Sequence, residues 1–361
     1  MDNVVTRPLV ILGAGRIARA LLGQLLARGE HLRARYGLEL PVAAISNSRY
    51  LVRGAPFVSS EQLAVIAAGG LDEGEPVTAD ALSGSQSEIT ALAGAQRERP
   101  IVLDLTASDR TAGTLIAALD AGCDVALANK KALCQDYDIF ARLTENPRGR
   151  IGYEATVGAG LPIIAPLRAL FDAGDTLSEA TACLSGTLGY VCTRMEERQL
   201  LSAIIPAARA LGFTEPDPRE DLSGDDVRRK ALILARTMGQ RLEMAGIAAA
   251  PFVPLEEGPL DAWLAGLTRY DATLSARARA AREQDLVLRY VARILPDGCE
   301  VGLREMPRVS TVGRLYGADN ILTVYTRFYV DRPLTISGPG AGPDVTAAAV
   351  FADLLRLACT G

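Results

Sequence analysis

Residues 215–230 read EPDPREDLSGDDVRRK, and this stretch carries the chain's densest set of groups able to do chemistry. Its acidic side chains sit on a loop broken by Pro216 and Pro218, and a helix then opens that carries Asp226 and Lys230. Four-residue spacing puts that carboxylate and that amine on one helical face. An amine held there can give a proton to a new alkoxide or take one from an alcohol, while the acids grip a substrate that itself bears an amine. The plainer alternative is a solvated i,i+4 ion pair, stabilising by about 0.2–0.5 kcal/mol. Three features weigh against it. Carboxylates crowd the upstream loop (Glu215, Asp217, Glu220, Asp221 and Asp225), Gly212 and Gly224 permit close approach, and the apolar run 231–235 implies a buried helix. The only histidine is His31, in a charged stretch, so another group must move the proton.

A second constellation sits at the N-terminus. Gly13-Ala14-Gly15-Arg16-Ile17-Ala18 follows a short apolar run and opens a helical pattern, the setting a dinucleotide-binding turn requires. Gly13 suits the tight turn, Gly15 lets a pyrophosphate approach the backbone, and Ala18 allows close helix–strand packing. The N–H groups of Arg16 and Ile17, with the helix dipole, face the phosphates. The next strand runs into Ser46-Asn47-Ser48-Arg49, without the acid that grips an NAD ribose. Ser46 and Arg49 suit a 2′-phosphate, so NADP is expected over NAD; a solvated loop arginine is the alternative. Thr106, after Asp104-Leu105, and Asn129-Lys130-Lys131 each follow a strand's carboxyl end, where open α/β sheets bind ligands. Thr106 is a candidate bond to the cofactor. Lys130, oriented by Asn129, is expected to reach the nicotinamide or the substrate, and Lys131 to point elsewhere.

The elements that must position these groups alternate along the first half: strands at 9–12, 41–45, 101–105 and 124–128, helices at 16–28 and 111–121. That succession predicts a parallel sheet with right-handed crossovers. Residues 69–99 show no clear pattern. The character changes near Arg150. Residues 151–157 read as β, and 162–171 as a helix with Pro162 in its first turn. Strands are expected at 179–184, 300–306 and 320–329, helices near 198–211, 225–238 and 270–285, and a Pro-rich connector at 250–259. The chain closes on a glycine turn and an amphipathic helix.

At 361 residues, 49% apolar, the chain suits two globular domains. A net charge of −5 without a Lys/Arg block speaks against a nucleic-acid partner. No apolar stretch approaches the roughly 20 residues of a membrane span, and no secretory signal precedes residue 9. Six scattered cysteines without CxxC spacing point to buried free thiols, a reducing compartment and no zinc site. A cytoplasmic protein is expected.

Four stretches, YEATVGAGLPII (153–164), LSGTLGY (184–190), LGFTEPDPREDLSGDDVRRKALILAR (211–236) and GPGAGPDVTAAAVFADLL (338–355), resemble homoserine dehydrogenase. The resemblance spans the chain in order, with GAGRIA and ANKKAL included, and departs from the family in having Ala18 for the third glycine. It implies an α/β fold: a Rossmann-type domain at 1–151 completed by 338–361, and a central α+β substrate and dimerisation domain at 152–337. It implies reversible NADP-dependent reduction of L-aspartate 4-semialdehyde to L-homoserine, on the route to threonine and methionine, by a homodimer. Lys230 would be the proton donor and acceptor. Asp226 and Glu215 would bind the substrate with Asp221 in support, Lys130 would contact cofactor or substrate, Thr106 would hold the nicotinamide region, and Gly212 and Gly342 would approach the cofactor. Glu154, with backbone at Val157, Ala159 and Leu161, matches a sodium-binding stretch; the same turn also reads as purely structural. No upstream kinase module or downstream regulatory domain is expected.

Overall fold

A computed structural model describes residues 4–76 and 99–359, and they divide into two compact units. The first comprises residues 1–160 and 341–361, the second residues 161–340. Of the unpatterned stretch 69–99, residues 77–98 lie outside the described residues.

The first unit is built on a seven-stranded sheet. Its order is Glu75–Pro76, Tyr50–Arg53, Val42–Ser46, Leu9–Leu12, Ile101–Asp104, Asp124–Leu127, Ile151–Gly152. From Val42–Ser46 onward every pairing is parallel; the first two strands run antiparallel at one edge. Leu9–Leu12 and Ile101–Asp104 are buried at every residue, as parallel strands covered on both faces must be. Helix Arg16–Tyr36 buries Ala18, Leu21, Leu22 and Leu32, and ends on Gly37 in the left-handed conformation. Beside it packs the last helix, Pro343–Cys359, whose Val350 and Leu354 are fully buried. Arg7 and Arg150 donate to the carbonyl of Leu357 and to the buried carboxylate of Asp124, tying that helix's end to the sheet.

The 151–157 segment departs from expectation. Only Ile151–Gly152 is strand; Glu154–Thr156 forms a 3-10 turn. Gly152 has no side chain because one would strike that of Asp353, whose carboxylate accepts from the Glu154 N–H at 2.9 Å and turns the chain there. Residues 152–160 therefore belong with the first unit rather than the second.

The second unit holds a six-stranded sheet in the order Ile247–Ala249, Gly298–Pro307, Leu286–Leu295, Leu177–Cys183, Asp319–Thr326, Leu334–Pro339. All pairings are antiparallel except the first. Helices Leu201–Ala210, Asp225–Thr237 and Thr268–Glu283 fall where the apolar spacing puts them. Helix Ile164–Asp172 starts two residues beyond Pro162, with Ile163 and Ile164 both buried at its entrance.

Among the elements of this unit absent from the sequence reading are three that frame the site. Strand Leu286–Leu295 is central and buried on both faces, and Arg289, only 3% exposed, breaks its apolar run. That guanidinium pairs with Glu196 and donates to the carbonyls of Leu288, Gly313 and Leu315. Helix Gly186–Glu196 contains two glycines that lower its propensity. A Cβ at Gly186 would meet the Ala318 carbonyl oxygen at 3.1 Å, and one at Gly189 the Gly317 carbonyl oxygen at 2.8 Å. Edge strand Leu334–Pro339 runs into the glycine turn and is half exposed.

Candidate active site

Helix Asp225–Thr237 starts on Gly224, whose φ of +75° and contact with the Tyr290 hydroxyl admit no side chain. One turn on, Lys230 is 9% exposed, buried by the apolar turn that follows it. Its ammonium donates to the Leu184 carbonyl at 2.7 Å and pairs with Asp226 at 2.9 Å. Of its three N–H donors, two are thus committed, and the third has no protein acceptor among the described residues. The Asp226 side chain is 47% exposed against 11% for that of Lys230, so this is not the solvated pair of the plain reading. A buried ammonium with one open donor, flanked by a reachable carboxylate, can protonate an oxyanion.

The structure sorts the crowded acids. Asp217 caps helix Pro218–Leu222 and grips Arg219, whose guanidinium holds its carboxyl below the usual range; it is structural. Asp221 accepts from the Glu215 N–H at 2.8 Å and from the Thr187 hydroxyl at 2.8 Å. It therefore acts by fixing the 213–215 loop. Glu215, so placed, is exposed, and its carboxylate has no partner among the described residues. Residue spacing points to neither Thr187 nor the Leu184 carbonyl; the LSGT run at 184–187 is the signal the sequence offers. Gly212, at φ +74°, ends helix Leu201–Ala210.

In the first unit the nucleotide turn has the required form. Gly13 has φ +95°, and a Cβ there would press on the backbone of Leu105 and Thr106 at 2.9 Å. Gly15 differs: its φ is −81°, and a Cβ would meet nothing within 4 Å. No protein contact requires glycine at 15, where a Cβ would enter open space. Gly15 caps the helix without a side-chain hydrogen bond, which leaves the first-turn N–H groups, Arg16 and Ile17 among them, directed outward for an anion. These residues fit a dinucleotide pyrophosphate.

Ser46 ends its strand and its carbonyl accepts from the Gly13 N–H at 2.8 Å. Arg49 is exposed, with its guanidinium 5.9 Å from the Tyr50 ring centre and no carboxylate partner among the described residues. Thr106 is less available than expected. Its hydroxyl donates to Asp104 at 2.7 Å and accepts from the Ser108 N–H at 3.1 Å. Asp104 is wholly buried and also takes Thr111 at 2.6 Å and Asn129 at 2.9 Å. Thr106 thus shapes the loop rather than offering its side chain. Asn129 in turn accepts from the Lys131 N–H at 3.0 Å, binding the two strand-end loops together. Lys130 is half-buried and Lys131 exposed, but a 3-10 turn at Lys131–Cys134, rather than strand alternation, separates them. Gly342 has φ +125° ahead of the last helix.

The 154–161 turn presents one buried carboxylate. Glu154 is 3% exposed, and Arg356 lies 3.2 Å from it. That guanidinium reaches one oxygen of the carboxylate. Val157 is buried, Ala159 is left-handed at φ 54°, and Leu161 falls in the second unit. Among the described residues, no three His, Cys, Asp or Glu side chains gather as a metal site. No described helix is long and apolar enough to cross a membrane.

The first unit thus carries a parallel sheet with a dinucleotide-type turn, and the second a buried lysine beside carboxylates. Comparison with known proteins gives the family. Residues 13–150 match the family described as homoserine dehydrogenase, NAD binding domain, and residues 162–355 that described as homoserine dehydrogenase. The bifunctional aspartokinase/homoserine dehydrogenase of Haemophilus influenzae is 34% identical over 98% of this chain, and that of Escherichia coli 35% over 97%. The chain spans 43% of the length of each. A Candida auris protein of unknown function superposes with a TM-score of 0.88 at 30% identity, covering 98% of both chains. A hyperthermophilic archaeal homoserine dehydrogenase in complex with NADPH shares the fold, with a TM-score of 0.74 at 23% identity over 98% of both chains. The chain belongs to the homoserine dehydrogenase family.

Proposed function

We propose that the chain interconverts L-homoserine and L-aspartate 4-semialdehyde, and that it uses NADP in preference to NAD. The observation that carries this reading is the Lys230 ammonium, buried, anchored on the Leu184 carbonyl and left with one open donor. The nicotinamide, when bound, supplies or accepts the hydride. Reduction leaves negative charge on the former carbonyl oxygen, and Lys230 gives that oxygen its proton; oxidation runs the same transfer backward. Glu215 and Asp226 bind the substrate's ammonium. Asp221, through the Glu215 N–H, keeps the loop in place.

The first unit would hold the cofactor on the Gly13–Ile17 turn, with Ser46 and Arg49 at the 2′-phosphate, Lys130 and Gly342 nearby, and Asp104 and Thr106 shaping the loop. The second unit would carry the substrate and the homodimer contact. A cytoplasmic setting agrees with the free thiols. The reading routes no step through a sodium ion at the Glu154 turn.

Absorbance at 340 nm tests the whole. Homoserine with NADP should give NADPH, and kcat/KM should favour NADP over NAD by at least tenfold. Arg49→Ala should narrow that ratio. Activity with aspartate and ammonia but none with homoserine would instead mark an amino-acid dehydrogenase acting at the α-carbon.

A further inference from the structure

Asn320 is 0% exposed, and neither its amide nitrogen nor its oxygen has a hydrogen-bond partner among the described residues. Leaving a buried donor or acceptor unmet is destabilising, a cost that a leucine of the same branched shape would avoid. Such a group calls for a reason.

Sheet register places it. Ile321 pairs with Cys183 across two antiparallel strands, so Asn320 falls opposite Leu184. Ala182 pairs with Ala292 on the other side, so Leu184 falls opposite Tyr290. Side chains in one cross-strand row share a face. Ile321, Cys183 and Val291 form an apolar cluster on one face, which leaves Asn320, Leu184 and Tyr290 on the other. That other face carries the Lys230 helix: its cap, Gly224, rests on the Tyr290 hydroxyl, and Lys230 donates to the Leu184 carbonyl at 2.7 Å. The unpaired carboxamide is therefore a neighbour of the lysine's own anchor. The Gly340 backbone lies against it, since a side chain there would collide with the Asn320 amide. Gly340 lies within a turn bounded by Gly338 (φ +151°) and Gly342 (φ +125°).

We infer that Asn320 is a substrate-recognition residue, whose carboxamide receives the α-amino-acid head of the substrate when the glycine turn yields. The inference rests on the reading of the reaction given above. The match is chemical. An amino-acid head carries adjacent acceptor and donor groups, and a carboxamide answers both: its N–H donates to the carboxylate and its C=O accepts from the ammonium. The carboxylates on the Lys230 side can hold the ammonium, but they repel the α-carboxylate. Asn320 supplies the neutral donor which that group needs.

The test compares wild type with Asn320→Leu and Asn320→Ser in the full chain, by thermal unfolding and by oxidation of three alcohols with saturating NADP. The alcohols are homoserine, 3-aminopropanol (no carboxylate) and 4-hydroxybutyrate (no ammonium). Asn320→Leu should unfold at or above the wild-type Tm, raise KM for homoserine at least tenfold and move KM for NADP less than twofold. Both variants should also shrink the wild-type preference for homoserine over 3-aminopropanol by a similar factor, so Asn320→Ser decides the matter if the leucine variant does not fold. An unchanged preference overturns the inference. So does a lowered Tm with both KM values shifted together, the mark of a structural amide satisfied by internal water. A wild type inert towards homoserine overturns the reading of the reaction, and Asn320 with it.

Discussion

Lys230 and Asp226 stand 2.9 Å apart on adjacent turns of one helix, yet the lysine side chain is 11% exposed and that of the aspartate 47%. The asymmetry assigns their work. Lys230 is held from behind by a carbonyl and can meet a ligand only at its tip, whereas Asp226 reaches solvent and can exchange the lysine for a substrate ammonium.

Removing the amine should therefore strike the chemical step. General acid–base catalysis contributes roughly 10²–10⁴-fold, and Lys230→Ala should lower kcat by about that factor while KM for NADP changes less than twofold. Asp226→Asn keeps the lysine and should act more on KM for homoserine than on kcat. Steady-state kinetics with each substrate varied in turn separates the two effects. A Lys230→Ala enzyme turning over within threefold of wild type would take this lysine out of the mechanism.

Gly13 and Gly15 are two residues apart and should fail differently. Alanine at 13 must adopt a left-handed φ and press on the 105–106 backbone. It should destabilise the first unit by about 2 kcal/mol or more. Alanine at 15 meets nothing in the protein, so Gly15→Ala should keep the wild-type Tm and weaken NADP binding severalfold. Calorimetric unfolding and a cofactor titration on both variants check this. Equal loss of stability in the two would show that Gly15 serves packing.

The nucleotide half of the fold is legible because burial and period agree there: strands 9–12, 101–105 and 124–128 are apolar runs interrupted only by Asp104 and Asp124, and the glycine turn stands between a strand and a helix. The second unit is harder to read where tertiary contact overrides local pattern. Helix Gly186–Glu196 looks like a loop because its glycines accommodate the Gly317 and Ala318 carbonyls, and strand Leu286–Leu295 hides behind a buried arginine that no window of sequence can pair with Glu196. At the site, i,i+4 spacing finds Asp226 and Lys230. It cannot find the Leu184 carbonyl, which is backbone and 46 residues away, nor show that Asp217 is spent on Arg219.

The thiols should divide by burial. It pushes Cys123 and Cys192 up to about 11, and Cys183 and Cys299 to about 12, so these four stay protonated and shielded at pH 8. Cys359 is exposed and Cys134 partly so. Iodoacetamide should label Cys359 first, Cys134 more slowly, and the other four only on denaturation, as peptide mass spectrometry would show. Early labelling of Cys183 would contradict the packing around it.

Asp353 makes stability depend on pH in an unusual direction for a carboxylate. Burial against Gly152 raises its pKa to about 6, more than Arg356, 2.5 Å away, and the Glu154 N–H can lower it, and the Glu154 carboxylate adds to the rise. In the unfolded chain it ionises near its ordinary 3.8. Below that value both states are neutral and nothing is lost. As pH climbs from about 4 to about 6, the unfolded chain gives up a proton that the fold retains, so the fold loses stability, and above 6 the loss levels off. A shift of about two units corresponds to about 3 kcal/mol. Asp353→Asn keeps an acceptor for the Glu154 N–H but cannot ionise. Its unfolding free energy relative to wild type should therefore improve by about 2–3 kcal/mol between pH 4 and pH 7, whatever the offset from losing the Arg356 pair. Urea titrations of both proteins across that range measure the difference, and a pH-independent gap would mean that Asp353 is ionised in the fold at ordinary acidity.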